Sequence, residues 1–327
     1  MTRKQLFLLL AAVLLSLLPA AAHLFGNPYL LSLASRILIY GLAAASLDLL
    51  LGYGAMISLG HAAYVGIGAY AAGILHLHLG APGLAPALAL VADSEVSGLV
   101  ILPLAVLAAS LAALVIGALC LRTTGMHFIM ITLAFAQMLY YFFISLEAYG
   151  GDDGLSLLGR SKLPLVNLDN DTHFYYFCLF CLIAFLLLAS RLVHSRFGLI
   201  LRGTGDNERR ARGLGVNTGR YRLALFTIAG GSAGLAGALL ANHSEFVSPG
   251  LLNWTLSGEL MVMVLLGGIG TLFGPVLGAA VYLLLEEGLN MYTEHWMAYM
   301  GPLLVLAVLF ARNGLLPLLI SGRKRHG

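Results

Sequence analysis

Runs of about twenty apolar residues follow one another along almost the whole chain, and that succession constrains the fold more than any motif in it. A helix needs ~20 residues to cross the ~30 Å hydrocarbon layer of a bilayer. Such runs occupy 6–22, 30–51, 56–79, 98–121, 126–146, 173–192 and 221–241, then a long one at 258–285 and a last at 295–311. Composition points the same way. Of 327 residues 60% are hydrophobic and 10% charged, against roughly 25% charged in an ordinary soluble domain. So few charges cannot cover a soluble surface, which excludes a soluble enzyme, a nucleic-acid binder and a disordered chain. The expected fold is all-α, a polytopic transmembrane helical bundle forming one domain over 1–327.

The connections between runs sort by charge. Arg3 and Lys4 precede the first run, Arg122 follows the fourth, and Arg323, Lys324 and Arg325 close the chain. The other connections are acidic: Asp93 and Glu95; Glu147, Asp152, Asp153, Asp169 and Asp171; Glu286, Glu287 and Glu294. Lys and Arg set orientation, so both termini and the 190–222 segment are expected in the cytoplasm. Parity then requires 258–285 to cross an even number of times. Its middle, LLGGIGTLFGPVLG, holds four Gly before Pro275 and predicts a broken Gly-rich helix pair, for about eight to ten spans in all. The first run also fits a secretory signal; a retained helix is the expectation, and cleavage stays open. Cys178 and Cys181 form a C-x-x-C inside an apolar run, and Cys120 ends another. They are expected to pack as apolar residues, with no metal, cofactor or catalytic constellation implied.

Charge inside the membrane is the usual mark of function, and here it is scarce. Arg36 and Asp48 lie near enough to the ends of the second run to reach the headgroups, and Glu259 stands at the start of the broken run. A solute route would then be built from backbone and small polar groups. Two stretches supply them: 52–73, with six Gly in 22 residues, and 258–278, with six in 21. Paired Gly-interrupted segments in the two halves point to a transport pathway. The candidates are Gly54, Ser58, Gly60, His61 and Gly66 in the first, and Gly267, Gly268, Gly270, Thr271 and Gly274 in the second. Tight helix packing explains Gly equally well, as it does in GGSAGLAGALLA at 230–241, and a buried His61 bonded to a carbonyl would need no route.

The segment 190–222 carries eight of the 18 basic residues. Asp206 and Asn207 suit a helix N-cap, Glu208 its first turn, and Gly213 and Gly215 its end. Contact with lipid headgroups explains part of this charge. A capped helix over about 207–214, using Asp206, Asn207, Glu208, Arg209, Ala211, Arg212 and Gly215, points further, to docking of a soluble partner.

These residues carry a resemblance. LGYGAMISLGHAAYVGIGAY, TTGMHFIMITLAFAQMLYYF, GGDDGLSLL, the block 202–241 and SGELMVMVLLGGIGTLFGPVLGA together resemble the M-type permease of branched-chain amino-acid ABC importers. The resemblance implies a bacterial inner-membrane complex: this chain, a second permease subunit as heterodimer partner, two cytoplasmic ATP-binding-cassette ATPases and a periplasmic solute-binding protein. It implies that 207–214 is the coupling helix seated on the ATPase. The chain has three Lys (Lys4, Lys162, Lys324), none in a phosphate-binding loop, so ATP hydrolysis is expected from another polypeptide. Two departures stand out: Gln137, where many members carry an acid, and Gly213, where a non-Gly residue is common. Branched-chain or other hydrophobic amino acids are the expected substrates. A permease of the same family for urea or short amides, or a stand-alone carrier for a small neutral solute, is the alternative.

Overall fold

The computed structural model describes residues 15–19, 26, 28–80, 98–157, 159–162, 167–293, 295–310 and 314–316. Most of the expected first span, Arg3, Lys4, Asp93, Glu95, Glu294 and the C-terminal basic cluster lie outside them. Helix α1, Pro28–Asp48, continues into a π-helical turn, Leu49–Tyr53; α2 is His61–Gly80, α3 Gly98–Cys120 and α4 Met126–Ile144. Then come α5, Asp171–His194, two short helices α6, Arg196–Asp206, and α7, Glu208–Gly213, and the long α8, Thr218–Ser244. Helices α9, Trp254–Gly267, α10, Gly274–Tyr292, and α11, Trp296–Phe310, complete the order. Among the described residues five segments are long and apolar enough to cross a membrane: Tyr29–Tyr53, Gly98–Cys120, Met126–Ile144, Asp171–His194 and Thr218–Ser244. The bundle is that of an all-α polytopic membrane protein.

Helix starts follow local chemistry. Asn170, Asn207, Asn217 and Asn253 each accept a hydrogen bond from a backbone N–H in the first turn of α5, α7, α8 and α9, which satisfies donors that a helix leaves open. Helix α8 is the centre of the bundle and packs on α1, α2 and α3. Its small residues allow that. A Cβ on Gly237 would strike the Val65 carbonyl of α2, and one on Gly234 would meet Ala109 of α3. Cβ atoms at Gly230 and Gly231 would run into Ala113 and Ser110. Glycine at 230–241 therefore serves close packing.

The long run 258–285 is a helical hairpin. Helix α9 stops at Gly267, the chain reverses through Gly268 (φ +113°) and Gly270 (φ +71°), and α10 begins at Gly274 with Pro275 in its first turn. The two arms touch: a Cβ on Gly267 would meet the Gly274 carbonyl, and one on Gly278 the Met263 carbonyl. At ~1.5 Å per residue the 14 residues of α9 reach only about 21 Å. The break between the two arms is the one expected from the Gly-rich sequence before Pro275.

Two ends of the bundle differ. At one end lie the π-turn, the loop 54–60, the loop 121–125, α6, α7 and the hairpin break. At the other, Leu155–Ser156 pairs antiparallel with Phe246–Val247, and Ser161 N–H donates to Asn242 Oδ1 at 2.8 Å. There Arg160 Nη1 also meets Asp171 Oδ1 at 2.8 Å, with Glu245 Oε1 3.7 Å from its Nε.

Three expectations are corrected. Asp48 does not reach for the headgroups: the π-turn extends the helix to Tyr53, and Asp48 is 1% exposed inside the bundle. Arg36 is not a free snorkelling cation, because Glu286 Oε1 lies 3.2 Å from its Nη2. Glu286 and Glu287 are not in a loop; α10 continues through them to Tyr292, and the Arg36 pair gives Glu286 a reason to stay on the helix.

Candidate coupling and pathway sites

The basic segment folds as two short helices. Helix α6 ends at Asp206, so Asp206 closes one helix while Asn207 caps the next, its Oδ1 3.0 Å from the Arg210 N–H. Helix α7 is six residues, after which Gly215 (φ +81°) reverses the chain toward α8. Glu208 is the hub. Arg212 Nη2 donates to its Oε1 at 2.6 Å, Arg222 Nη1 of α8 to its Oε2 at 2.9 Å, and the Thr218 hydroxyl to Oε1 at 3.2 Å. This ties α7 to the first turns of α8. Ala211 is buried against the bundle. Arg209, Arg210, Gly213 and Gly215 are exposed, and so is Leu214, at 79%. Leu214, an apolar residue directly after a basic helix, is a further candidate for the same surface, and that position in the sequence is its signal. Behind the hub lies a cavity of about 160 Å³, lined by Met56, Phe128, Ile129 and Thr123 together with Glu208 and Arg222.

Partial burial acts to raise the Glu208 carboxyl, but the Arg212 hydrogen bond and the charges of Arg222 and Arg212 outweigh it and hold it below the ordinary carboxylate range. A depressed folded value means that the hub's contribution is fully present above the unfolded value of about 4.3. It is lost as pH falls through the lower folded value. The protection factors of the amides over 208–218, taken against the intrinsic exchange rate at each pH, are therefore expected to hold from pH 7 to about 5 and to fall once pH drops below the unfolded value of about 4.3. Constant protection down to the lower limit would contradict the hub.

The two Gly-rich stretches, some two hundred residues apart in sequence, meet at the end that carries α7. Gly270 N–H donates to Asp48 Oδ1 at 2.8 Å, and the Tyr53 hydroxyl donates to the Gly270 carbonyl at 2.7 Å. A Cβ on Gly52 would lie 2.5 Å from both N and Cα of Gly270. The Thr271 hydroxyl closes the turn onto the Gly268 carbonyl at 2.6 Å. In the first stretch, His61 is fully buried at the start of α2, and its Nε2 lies 2.8 Å from the Ser46 hydroxyl rather than from a carbonyl. Ser58 is buried and accepts from the Gly60 N–H at 3.3 Å. Gly54, Gly60 and Gly66 sit against Leu225, the Thr132 carbonyl and Leu252 respectively. Close contact thus accounts for Gly54, Gly60, Gly66, Gly267 and Gly274 within this chain. Cys120, Cys178 and Cys181 are buried free thiols, and among the described residues no three His, Cys, Asp or Glu side chains gather as a metal site.

Residues 29–311 match the family model described as branched-chain amino acid transport system / permease component. The chain belongs to this family. Among its relatives is the high-affinity branched-chain amino acid transport system permease protein LivM of Salmonella typhimurium, 25% identical over 310 residues, covering 88% of this chain and 69% of the relative. A probable LivM of Methanocaldococcus jannaschii is 26% identical over 319 residues, covering 85% and 90%. The autoinducer 2 import system permease protein LsrC of Salmonella typhi is 34% identical over 141 residues, 40% of each chain. No solved structure matches the chain. This permease component is a transporter subunit and a multi-pass membrane protein, in keeping with its family and with the five long apolar helices among the described residues.

Proposed function

We propose that this permease forms part of the route by which branched-chain or other hydrophobic amino acids cross the bacterial inner membrane, driven by two separate ATPases. The observation that carries the reading is the match over 29–311 together with a capped, basic, outward-facing helix at one end of the bundle. Arg209, Arg210 and Leu214 present a mixed charged and apolar surface there, suited to a groove on a soluble partner. Asn207 and Glu208 hold that surface in place from behind, with Arg212 and Ala211 fixing the helix to the bundle. Asp206 and Gly215 mark where the chain enters and leaves it. This end faces the cytoplasm in the proposal, because Lys and Arg concentrate at it.

The second permease subunit is proposed to cover α4, where only Phe128, Thr132 and Ala136 are buried and Met130, Met138 and Tyr141 are exposed. Gln137 lies on this helix, and its Nε2 is buried without an acceptor. A periplasmic binding protein would deliver solute at the opposite end, and lipid covers the remaining apolar faces. The route is proposed to pass Ser58 and His61 and the break at Gly268, Gly270 and Thr271, opening when the close contacts at Gly54, Gly60, Gly66, Gly267 and Gly274 are relaxed. The LsrC relatives carry a second reading, a different small polar solute on the same machinery.

Uptake by proteoliposomes tests both. Vesicles holding this chain, its second permease and the ATPases, supplied with binding protein and ATP, are expected to accumulate radiolabelled leucine. Omitting the ATPases should abolish it. Leucine uptake by this chain alone would refute the driven mechanism, and uptake of urea or a sugar-like solute in preference to leucine would refute the substrate.

A further inference from the structure

We propose that Asp48 and Tyr53 are positioning residues that clamp the Gly270 peptide and carry movement of the docking helix α7 into the α9–α10 hairpin. The inference rests on the driven-transport reading above and assigns the internal link that reading leaves open.

Gly270 lies in the reversal between two helices, so neither its N–H nor its carbonyl has a place in a helical ladder. Both are taken by one neighbouring segment: Asp48 Oδ1 accepts from the N–H at 2.8 Å, and the Tyr53 hydroxyl donates to the carbonyl at 2.7 Å. In an α-helix, residues five apart point about 140° away from each other and could not grip one residue. Here the segment is π-helical, with Gly54 N–H bonded to the Leu49 carbonyl at 3.1 Å. An i→i+5 turn stacks such positions on one side. The irregular turn is what lets the two side chains converge. Gly52 completes the clamp, since any side chain there would push Gly270 away.

Burying a carboxylate is costly unless it is used, and Asp48 is 1% exposed. One oxygen is spent on Gly270; Oδ2 has no partner. The clamp therefore needs an acceptor at this position, not a charge. On its other side the π-turn packs on α6, where a Cβ on Gly205 would sit 3.3 Å from the Ala55 methyl. Only Asn207 separates α6 from α7. The contacts are thus continuous from the docking surface through α6 and the π-turn to the hairpin, and continuity of this kind becomes coupling only when a measurement shows it.

The test uses the assembled complex in proteoliposomes, with leucine uptake and ATP hydrolysis followed together and normalised to inserted chain. Asp48→Asn keeps an acceptor oxygen, while Asp48→Ala and Tyr53→Phe each remove one bond. The Asn variant is expected to keep the normal ratio of solute imported to ATP hydrolysed. The Ala and Phe variants should lower that ratio by roughly tenfold, and the double variant little further. A second readout needs no solute: exchange of backbone amides over 268–273 should respond to ATP in the unmodified complex and cease to respond in Asp48→Ala. Asp48→Asn as damaging as Asp48→Ala would overturn the clamp in favour of a role for the charge. A fall in uptake and hydrolysis by the same factor would overturn it in favour of simple structural support. If the unmodified complex imports no leucine, the substrate reading fails by itself, and the exchange measurement still decides the clamp.

Discussion

Leu214→Asp is expected to abolish driven uptake while the chain inserts and folds normally. Leu214 is 79% exposed at the end of α7 and supports nothing inside the bundle, so its removal leaves the fold untouched. Burying a leucine on a partner contributes about 2 kcal/mol, which corresponds to roughly 30-fold in affinity, and a buried aspartate adds its own desolvation cost. Reversing Arg209 and Arg210 to glutamate should act in the same direction. Co-purification of the ATPases with the tagged permease measures it directly. Glu208 is the wrong residue for this experiment, because reversing it also releases Arg212, Arg222 and Thr218 and melts the helix it was meant to probe. Normal co-purification and uptake with Leu214→Asp would remove α7 as the docking surface.

The second large effect is on folding. Gly237→Val puts a branched side chain where even a Cβ collides with the Val65 carbonyl and approaches the Ala69 amide nitrogen at 3.0 Å. Both obstacles are backbone atoms of α2, so no rotamer change relieves them. Helices α2 and α8 must separate, and the neighbouring contact between the backbones of Gly68 and Gly234 separates with them. The expected loss is about 3 kcal/mol or more, seen as a lower melting temperature and a smaller monodisperse fraction in detergent. Gly213→Ala is the control. Nothing lies within 4 Å of its Cβ, and replacing a helical Gly there should stabilise α7 by up to ~1 kcal/mol. Equal melting of Gly237→Val and the unmodified chain would show that the small-residue seam is not what holds the bundle.

Run length was sufficient to place the helices, because the bilayer fixes how many apolar residues a span needs. The hairpin at 267–274 was legible for a related reason: four glycines and a proline cannot continue a helix that parity says must return. The Asn207 cap was legible because its chemistry is local. What escaped was everything set by contact. Asp48 was placed by counting from the end of an apolar run, which takes no account of a π-turn that lengthens the helix and buries it. Glu286 was assigned to a loop because charge ended the apolar pattern, yet Arg36, some 250 residues earlier, holds it on the helix. Helix α6 was missed because its apolar residues, Phe197, Leu199, Ile200 and Leu201, are too few to register among longer runs. The meeting of Gly52 with Gly270 has no local signature at all.

If α7 receives the push proposed above, the far end of the molecule sets how it is felt. There the short β-ribbon, the Ser161–Asn242 hydrogen bond and the Arg160 ion pairs fasten the last turn of α8 to the start of α5. Helix α8 is 27 residues long, about 40 Å from that fastening to its first turn, which the Glu208 hub ties to α7. In the proposed coupling it serves as a lever, with its fulcrum at the fastened end and its handle at the end beside α7. A tilt of roughly 5° about the fulcrum moves the handle by about 3–4 Å, so a small rotation at the fastened end becomes a displacement large enough to reseat side chains beside Arg222.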